Sequence, residues 1–205
     1  FANPIFSKIS FTASSQLNKE RRTYLRVGNS NRFVEDDKVK TIGLTADVFS
    51  IIHSNWTANS GVEFYNDEVN SSKQQISTIS GNIINQRGLY PNNARMQNFS
   101  LYSLHHLAVG KFNIEGGVRY NALQIEVDTA IVKPASLVFN AALLYRVSKT
   151  QSVYASYSTG YRAPNIDDMG TLGLVDFRYE VPAYGLKREK KFNKELGYKI
   201  QTKKV

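Results

Sequence analysis

Between residues 112 and 122 the chain alternates apolar and polar side chains almost without exception. One set contains Phe112, Ile114, Val118, Tyr120 and Ala122, and the positions between them hold Asn113, Glu115, Arg119 and Asn121, with Gly116 and Gly117 at the centre. Consecutive side chains of a β-strand point to opposite faces of the sheet. The pattern therefore predicts a strand with one apolar and one polar face, as in an outer-membrane barrel wall or a soluble sandwich.

Seven further segments repeat this period of two, so the chain is predicted to form eight strands. They cover residues 7–17, 40–51, 56–67, 97–109, 136–147, 152–161 and 191–202, and alternation is weakest in the fourth strand, 97–109. Short connections (53–55, 110–111, 149–151) alternate along the chain with long ones (18–39, 68–96, 162–190) and one of medium length (128–135). Short turns at one end and long loops at the other are typical of outer-membrane barrels. We predict an all-β, antiparallel up-and-down transmembrane β-barrel wall.

The apolar face of these strands is predicted to contact outer-membrane lipid. Aromatic side chains on this face recur near the short-turn end, as expected for an interfacial girdle. The lipid-facing set is Trp56, Val62, Phe64, Phe112, Ile114, Val118, Tyr120, Phe139, Leu143 and Tyr145. A soluble, carbohydrate-binding β-sandwich is the alternative, and it requires a second sheet to cover the same face. Arginine at Val118 is expected to block membrane assembly, and arginine at Asn121, on the other face, to be tolerated.

Composition narrows the class of protein. The 205 residues suffice for one large all-β domain, and there is no cysteine for disulfide or thiol chemistry. No stretch approaches the ~18 apolar residues of a membrane-spanning helix, but a barrel strand needs apolar residues only at alternate positions. The net charge of +9 is spread along the chain among acidic residues. We therefore expect a positive surface facing lipid or solute, and no nucleic-acid partner.

Nothing in the sequence predicts a catalytic or metal site. His105 and His106 are adjacent in a strand, so they face opposite ways and cannot share a metal ion, and His53 lies in a short turn. An outer-membrane hydrolase would need one of these histidines beside Ser100 or Ser103, but no nucleophile-elbow motif is present. We predict no enzyme activity, no metal and no cofactor.

The long connections hold the expected ligand-binding residues. Arginine mixed with aromatic side chains is typical of binding surfaces, although aromatic residues also pack long loops on themselves. The predicted set is Tyr90, Arg95, Arg162, Asp167, Asp168, Arg178, Tyr179 and Tyr184. The acidic residues Asp167, Asp168, Asp176 and Glu180 could hold a hard cation, but their spacing matches no calcium loop, and a solvated acidic loop is favoured.

Two motifs resemble the barrel of TonB-dependent outer-membrane receptors. The first is Gly-Tyr-Arg-Ala-Pro at 160–164, on a strand rising into a long loop. The second is Leu-Lys at 186–187 with Glu189, followed by Glu-Leu-Gly at 195–197 on the descending strand. Arg188 stands where that family prefers proline. The loop 170–182 is similar to receptors of Bacteroidetes-type bacteria, including haem and haemoglobin receptors.

This resemblance implies about eight strands of a 22-strand barrel, with residues 1–205 forming part of one barrel domain and the plug domain absent. It also implies uptake of a scarce solute (siderophore, haem, cobalamin or glycan) by a protein of the bacterial outer membrane, energised by the TonB complex through the missing plug. The resemblance would leave the first and last strands as open edges. A complete eight-stranded anchor or adhesin barrel is the alternative, and it would pair them with each other.

Overall fold

The computed structural model describes residues 5–175 and 178–201. Asp176 and Phe177, the first four residues and the end of the eighth predicted strand lie outside this range. The chain forms, in order, strands β1 (Lys8–Leu25), β2 (Asn31–His53), β3 (Trp56–Ser77), β4 (Ile83–Arg87), β5 (Ala94–Val109), β6 (Phe112–Val127), β7 (Ala130–Val132), β8 (Ala135–Arg146) and β9 (Gln151–Arg162), helix α1 (Ile166–Gly170), and strands β10 (Gly173–Val175), β11 (Arg178–Glu180) and β12 (Glu189–Ile200).

Eight long strands make one antiparallel sheet in the order β1-β2-β3-β5-β6-β8-β9-β12, with β4 added to β3 and β7 to β6. Each strand pairs with its neighbour along the chain, which confirms the up-and-down topology. Within the described residues β1 and β12 pair on one side only. The alternative of a closed eight-stranded barrel is therefore wrong, because it required these two strands to pair.

The connections that follow β1 and β3 are much shorter than the sequence pattern predicted, because both strands extend beyond their predicted ends. Residues 18–39 were expected to form a long loop, but β1 and β2 continue as a paired hairpin up to Leu25 and Arg32. The β3 strand likewise continues to Ser77. Polar side chains occupy both faces of these extensions, so the period of two disappears from the sequence while backbone pairing persists. We call this upper part of β1–β3 the extended hairpins.

The sheet has an apolar face that no second layer covers. Ile114, Val118 and Leu143 are 41%, 46% and 42% exposed, and they lie on the same face as Phe11 and Leu101. The only other sheet in the described residues is the hairpin of β10 and β11, three residues in each strand. A soluble sandwich, which needs this face buried against an opposing sheet, is therefore excluded.

Aromatic side chains on the apolar face cluster at the short-turn end, as the sequence pattern predicted. The rings of Phe112 and Tyr145 lie 4.8 Å apart, and Trp56 donates a hydrogen bond to His105 Nδ1 at 3.2 Å. In β5, whose facing the sequence left open, Phe99 joins this face and its neighbour Ser100 faces the other way. The described residues contain no helix long and apolar enough to cross a membrane.

The opposite face, which we call the polar face, carries the folded-in connection between β9 and β12. Ile166 and Met169 of helix α1 pack against this face near the loop end of the sheet. Both side chains are buried, and they share a small core with Val69, Ala94, Ile125 and Val127. The longest connection is therefore packed against the wall instead of standing free above it.

Candidate functional site

The polar face at the loop end of the sheet holds the best-formed site. A pocket of about 320 Å³ lies there between the extended hairpins and the β9–β12 connection. Its lining comes from the loop end of β1–β3, the end of β4, and residues 88–89 and 172–174. The polar lining residues are Arg22, Tyr24, Arg26, Glu35, Lys73 and Arg87. We call it the loop-end pocket.

Strand register brings these residues together. Arg22 lies opposite Glu35, and Glu35 lies opposite Lys73 on the next strand, so the three side chains form one row on the polar face. Arg22 and Tyr24 are two residues apart in β1 and therefore share this face, and Arg26, just beyond the end of β1, lines the same pocket. The sequence pattern does not predict this site, because it indicates a long loop at residues 18–39. Arg22, Tyr24 and Arg26 keep a two-residue spacing in the sequence, but without apolar alternation this spacing does not distinguish a strand from a loop.

Lys73 is the central cation of the row. Its Nζ contacts Glu35 Oε1 at 2.9 Å and donates to the Tyr24 hydroxyl at 3.0 Å. Burial alone would lower the pKa of Lys73, but the hydrogen bonds to Tyr24 and Glu35 outweigh it and raise the pKa above its ordinary value. Lys73 is therefore a fixed positive charge at neutral pH. Its ammonium also lies 5.7 Å from the centre of the Tyr24 ring and 5.1 Å from that of Phe33.

A buried carboxylate supports the pocket from behind. Asp37 accepts hydrogen bonds from Arg22 Nη2 at 3.1 Å and from Ser71 Oγ at 2.5 Å. The Nε atom of Arg22 is shielded from solvent, yet it makes no hydrogen bond; the carboxylates of Glu20 and Glu35 lie 3.3 and 3.7 Å from it. These two carboxylates pair with Arg22 Nε electrostatically, although neither meets the geometry of a hydrogen bond.

Three residues predicted to bind ligand hold the β9–β12 connection in shape. Arg162 Nη2 donates to both oxygens of Asp168 at 2.7 Å, which raises the pKa of Arg162. Asp168 and Asn165 form a reciprocal cap at the start of α1. Asp167 accepts a hydrogen bond from the Thr171 hydroxyl at 2.6 Å. Each of these side chains is engaged by a partner in or beside the connection, so their first role is to build the loop.

Tyr184 and Arg87 tie the same connection to the wall. The Tyr184 hydroxyl donates to Asp128 Oδ2 at 2.7 Å, and this hydrogen bond raises the pKa of Tyr184. Arg87 Nη2 contacts the same oxygen at 3.2 Å and donates to the Gly170 carbonyl at 2.7 Å. One carboxylate thus joins the β4 end, the β6–β7 turn and the descending part of the loop.

The other predicted ligand residues are dispersed. Tyr90 is half-buried beside the α1 core, and burial raises its pKa. Arg178 and Tyr179 lie exposed on β11. Arg95 lies on the apolar-face side of β5, above the apolar rows, where its guanidinium contacts Glu68 at 3.2 Å. The structure therefore brings Tyr90, Arg162, Asp167, Asp168 and Tyr184 to the polar face at the loop end, and sets Arg95 apart.

All three histidines lie towards the short-turn end. His105 accepts from Trp56 on the apolar face, whereas His106 lies on the polar face. His53 contacts Asn55 in the turn. In the part of the chain that the structure describes, no group of three histidine, aspartate or glutamate side chains is placed to hold a metal ion.

Lower on the polar face, a network of buried side chains surrounds Arg119. Its guanidinium contacts Glu63 and donates to Ser100 Oγ at 2.9 Å and to Asn121 Oδ1 at 2.8 Å. Asn121 is 6% exposed. The expectation that arginine would be tolerated at position 121 is therefore unsound, because a second guanidinium would be buried beside Arg119.

A single antiparallel sheet with one exposed apolar face, one polar face and a folded-in loop defines the class: a wall segment of an outer-membrane β-barrel. The family model described as "TonB dependent receptor-like, beta-barrel" matches residues 4–205. The chain therefore belongs to the TonB-dependent receptor β-barrel family, whose members are proteins of the Gram-negative outer membrane.

Solved structures share this fold at low sequence identity. The copper transporter OprC is 12% identical with a TM-score of 0.77, and the match covers 98% of this chain and 34% of the OprC chain. The ferric yersiniabactin uptake receptor FyuA from Yersinia pestis is 17% identical with a TM-score of 0.61, covering 95% and 31%. The siderophore receptor PiuA from Acinetobacter baumannii is 14% identical with a TM-score of 0.59, covering 93% and 35%. The chain thus spans about a third of each, and no curated protein matches it.

Proposed function

We propose that this chain is part of the barrel domain of a receptor that imports a scarce solute across the outer membrane. The observation that carries the proposal is the two-sided sheet. Its uncovered apolar face is suited to hydrocarbon, and its polar face carries a folded-in loop and a charged pocket at the loop end. In this arrangement Ile114, Val118 and Leu143 contact lipid, and the loop-end pocket faces the barrel interior.

The ligand class is drawn from the family and its neighbours. The similar structures include a copper transporter, a ferric yersiniabactin receptor and a siderophore receptor. A siderophore, haem, cobalamin or glycan is the proposed range. Haem coordination by histidine would have to come from outside the described residues, because His53, His105 and His106 all lie away from the loop end.

Energy for release of the ligand would come from the TonB complex through a plug domain inside the barrel. The polar network around Arg119 and the loop-end pocket then face that plug and the entering ligand. Residues of this chain would bind and orient the solute; none is proposed to make or break a covalent bond.

Uptake by a strain lacking the full-length gene tests this proposal. The panel contains ferric siderophore complexes, haem, cobalamin, copper and an oligosaccharide, each at a concentration too low for passive entry. We expect uptake of one class to fall in the deletion strain, to return with the full-length gene, and to fail again when TonB is removed. Restored uptake without TonB would show a passive pore, and an unchanged panel would argue against transport.

A further inference from the structure

Three lysines lie on the apolar-face side of the extended hairpins, directly beyond the last apolar positions. Lys19 of β1 lies opposite Lys38 of β2, and Leu17, two residues closer to the short-turn end, lies opposite Lys40. Side chains two residues apart in a strand share a face, so the lysines continue the rows that contain Leu17 and Ile42. All three lysines are exposed. In a wall that crosses the membrane, this level meets the head groups of the outer leaflet.

The sheet gains nothing from this arrangement of lysines. Like charges directly opposite each other in an antiparallel pair are destabilising, and Lys19 and Lys38 form such a pair. In the part of the chain that the structure describes, neither of these ammonium groups nor that of Lys40 has a carboxylate within ion-pair distance. Two adjacent cations of this kind lower stability unless an anion lies between them.

The carboxylates on this side of the sheet are already held by arginine. Asp36 accepts from Arg21 Nε at 2.6 Å and Nη2 at 3.0 Å. Glu68 lies opposite Lys40 in the register, but its ion pair is with Arg95 on β5 at 3.2 Å. Beyond the apolar rows, this side of β1–β3 therefore carries five cations and two carboxylates, and the positive charge is in excess: Lys19, Arg21, Arg32, Lys38 and Lys40 against Asp36 and Glu68.

A groove in the apolar face begins below the lysines. Its volume is about 410 Å³, and it runs across β1, β2 and β3. Ala13 and Ala46 leave this space, because each lies opposite a bulky side chain, Leu44 and Phe11 respectively. Leu44 is four residues from Lys40, ~13 Å along the strand, so an acyl chain in the groove has its head group at the level of the lysines. The apolar lining is Phe11, Ala13, Leu44, Ala46, Val62 and Phe64.

We propose that this side of β1–β3 binds a phosphorylated lipid of the outer leaflet. The head-group phosphate lies between Lys19 and Lys38 and offsets their repulsion, Lys40 contacts it from the membrane side, and one acyl chain lies in the groove. The excess of positive charge and the apolar groove together select a lipid over a free phosphate. This inference rests on the proposed function only in placing the apolar face against lipid.

Native mass spectrometry of the purified full-length receptor tests the inference. The probes are lipid A with two phosphates and the same lipid A without them, and inorganic phosphate at equal concentration serves as the competitor. Lys19→Gln combined with Lys38→Gln removes the opposed charges. The matched control combines Lys191→Gln with Lys199→Gln, because these two lysines of β12 lie on the polar face.

A second pair of variants tests the groove. Ala46→Phe fills it without changing the charge. Ala155→Phe adds the same side chain to the apolar face on β9, opposite Leu143 and away from the groove, and is its control.

We expect phosphorylated lipid A to bind at least about tenfold more tightly than the dephosphorylated form, and the Lys19/Lys38 variant to lose this preference while the Lys191/Lys199 variant keeps it. Ala46→Phe should weaken both lipids at least about threefold, and Ala155→Phe should weaken neither. Without lipid, the Lys19/Lys38 variant should unfold at the same temperature as the wild type or at a higher one, because a like-charge pair is gone.

Equal binding of the two lipids by the wild type, an equal loss in both lysine variants, or displacement of the lipid by inorganic phosphate would overturn the inference. A lower unfolding temperature of the lipid-free Lys19/Lys38 variant would overturn it too, since the lysines would then serve the fold. A lysine-dependent dimer in place of bound lipid would assign the surface to a second copy. Lipid binding as expected in a receptor that imports nothing would refute the transport proposal alone.

Discussion

Replacing Met169 by alanine should release the β9–β12 connection from the wall while the sheet stays intact. Met169 is fully buried between α1 and the polar face, in the core that also contains Ile125 and Val127. Truncating a buried methionine costs about 2–5 kcal/mol, and the lower end applies here because a surface loop can partly collapse into the space. About 2 kcal/mol corresponds to a roughly thirtyfold larger population of undocked loop.

Hydrogen exchange of the full-length receptor measures this population directly. The Leu172 amide donates to the Leu89 carbonyl, outside the connection, at 2.9 Å, so it is protected only while the connection is docked. The Ala183 amide donates to the Met169 carbonyl at 2.9 Å, within the connection itself, so it reports the connection's own structure. Peptides containing the Leu172 amide should exchange roughly thirtyfold faster in Met169→Ala, and peptides from the centre of β6 should be unchanged.

Truncation of an exposed residue in the same connection is the control. Tyr179 is 70% exposed, so Tyr179→Ala should leave the exchange of the Leu172 amide unaltered. Unchanged exchange in a folded Met169→Ala receptor would show that the buried contacts do not hold the loop. Faster exchange throughout the sheet would show that the core supports the whole wall instead of this connection.

Two other perturbations test the faces and the charges of the sheet. Val118→Arg should lower the amount of receptor assembled in the outer membrane, because a midplane charge on the lipid side costs ~2–4 kcal/mol, whereas Ala142→Arg, directly opposite Glu115 on the polar face, should assemble normally in the same fractionation assay. The raised pKa of Lys73 means that its pairing with Glu35 stabilises the fold fully below its ordinary value of 10.5 and is lost as the pH rises through the raised value. In thermal unfolding, Lys73→Arg should therefore be more stable than the wild type only above about pH 10.5, by about 1 kcal/mol, because arginine keeps its charge there. A stability difference that stays constant from pH 8 to 11.5 would contradict the pairing.

The part of the sheet with one apolar and one polar face was predictable, because such a strand alternates apolar and polar residues with a period of two. Phe112, Ile114 and Val118 alternate with polar neighbours, and the structure places them in one strand and on one face. Leu104 obscured the pattern in β5, since it is an apolar residue on the polar face. Turn positions were also predictable, because short polar connections separate the alternating segments.

The structure at the loop end was not predictable, because the apolar–polar alternation is missing there. Above the apolar rows, charged side chains occupy both faces of β1 and β2. Arg21 and Arg22 are adjacent, face opposite ways, and pair with Asp36 and Asp37 respectively. Backbone pairing then continues without any hydrophobic alternation to report it. The docking of α1 depends on contacts between Met169 and residues more than forty positions away, which no local pattern contains.

The claim that the apolar face contacts lipid is tested most directly by measuring whether each face of β8 is exposed to lipid or to water. Nitroxide labels at neighbouring positions, replacing Leu143 and Ala142 in the full-length receptor in lipid bilayers, report collisions with oxygen and with a water-soluble nickel chelate. This segment has no native cysteine to interfere with labelling. We predict that the label at 143 meets oxygen and is hidden from the chelate, and that the label at 142 shows the reverse preference. Chelate access at 143, or identical behaviour of the two labels, would contradict a lipid-facing wall.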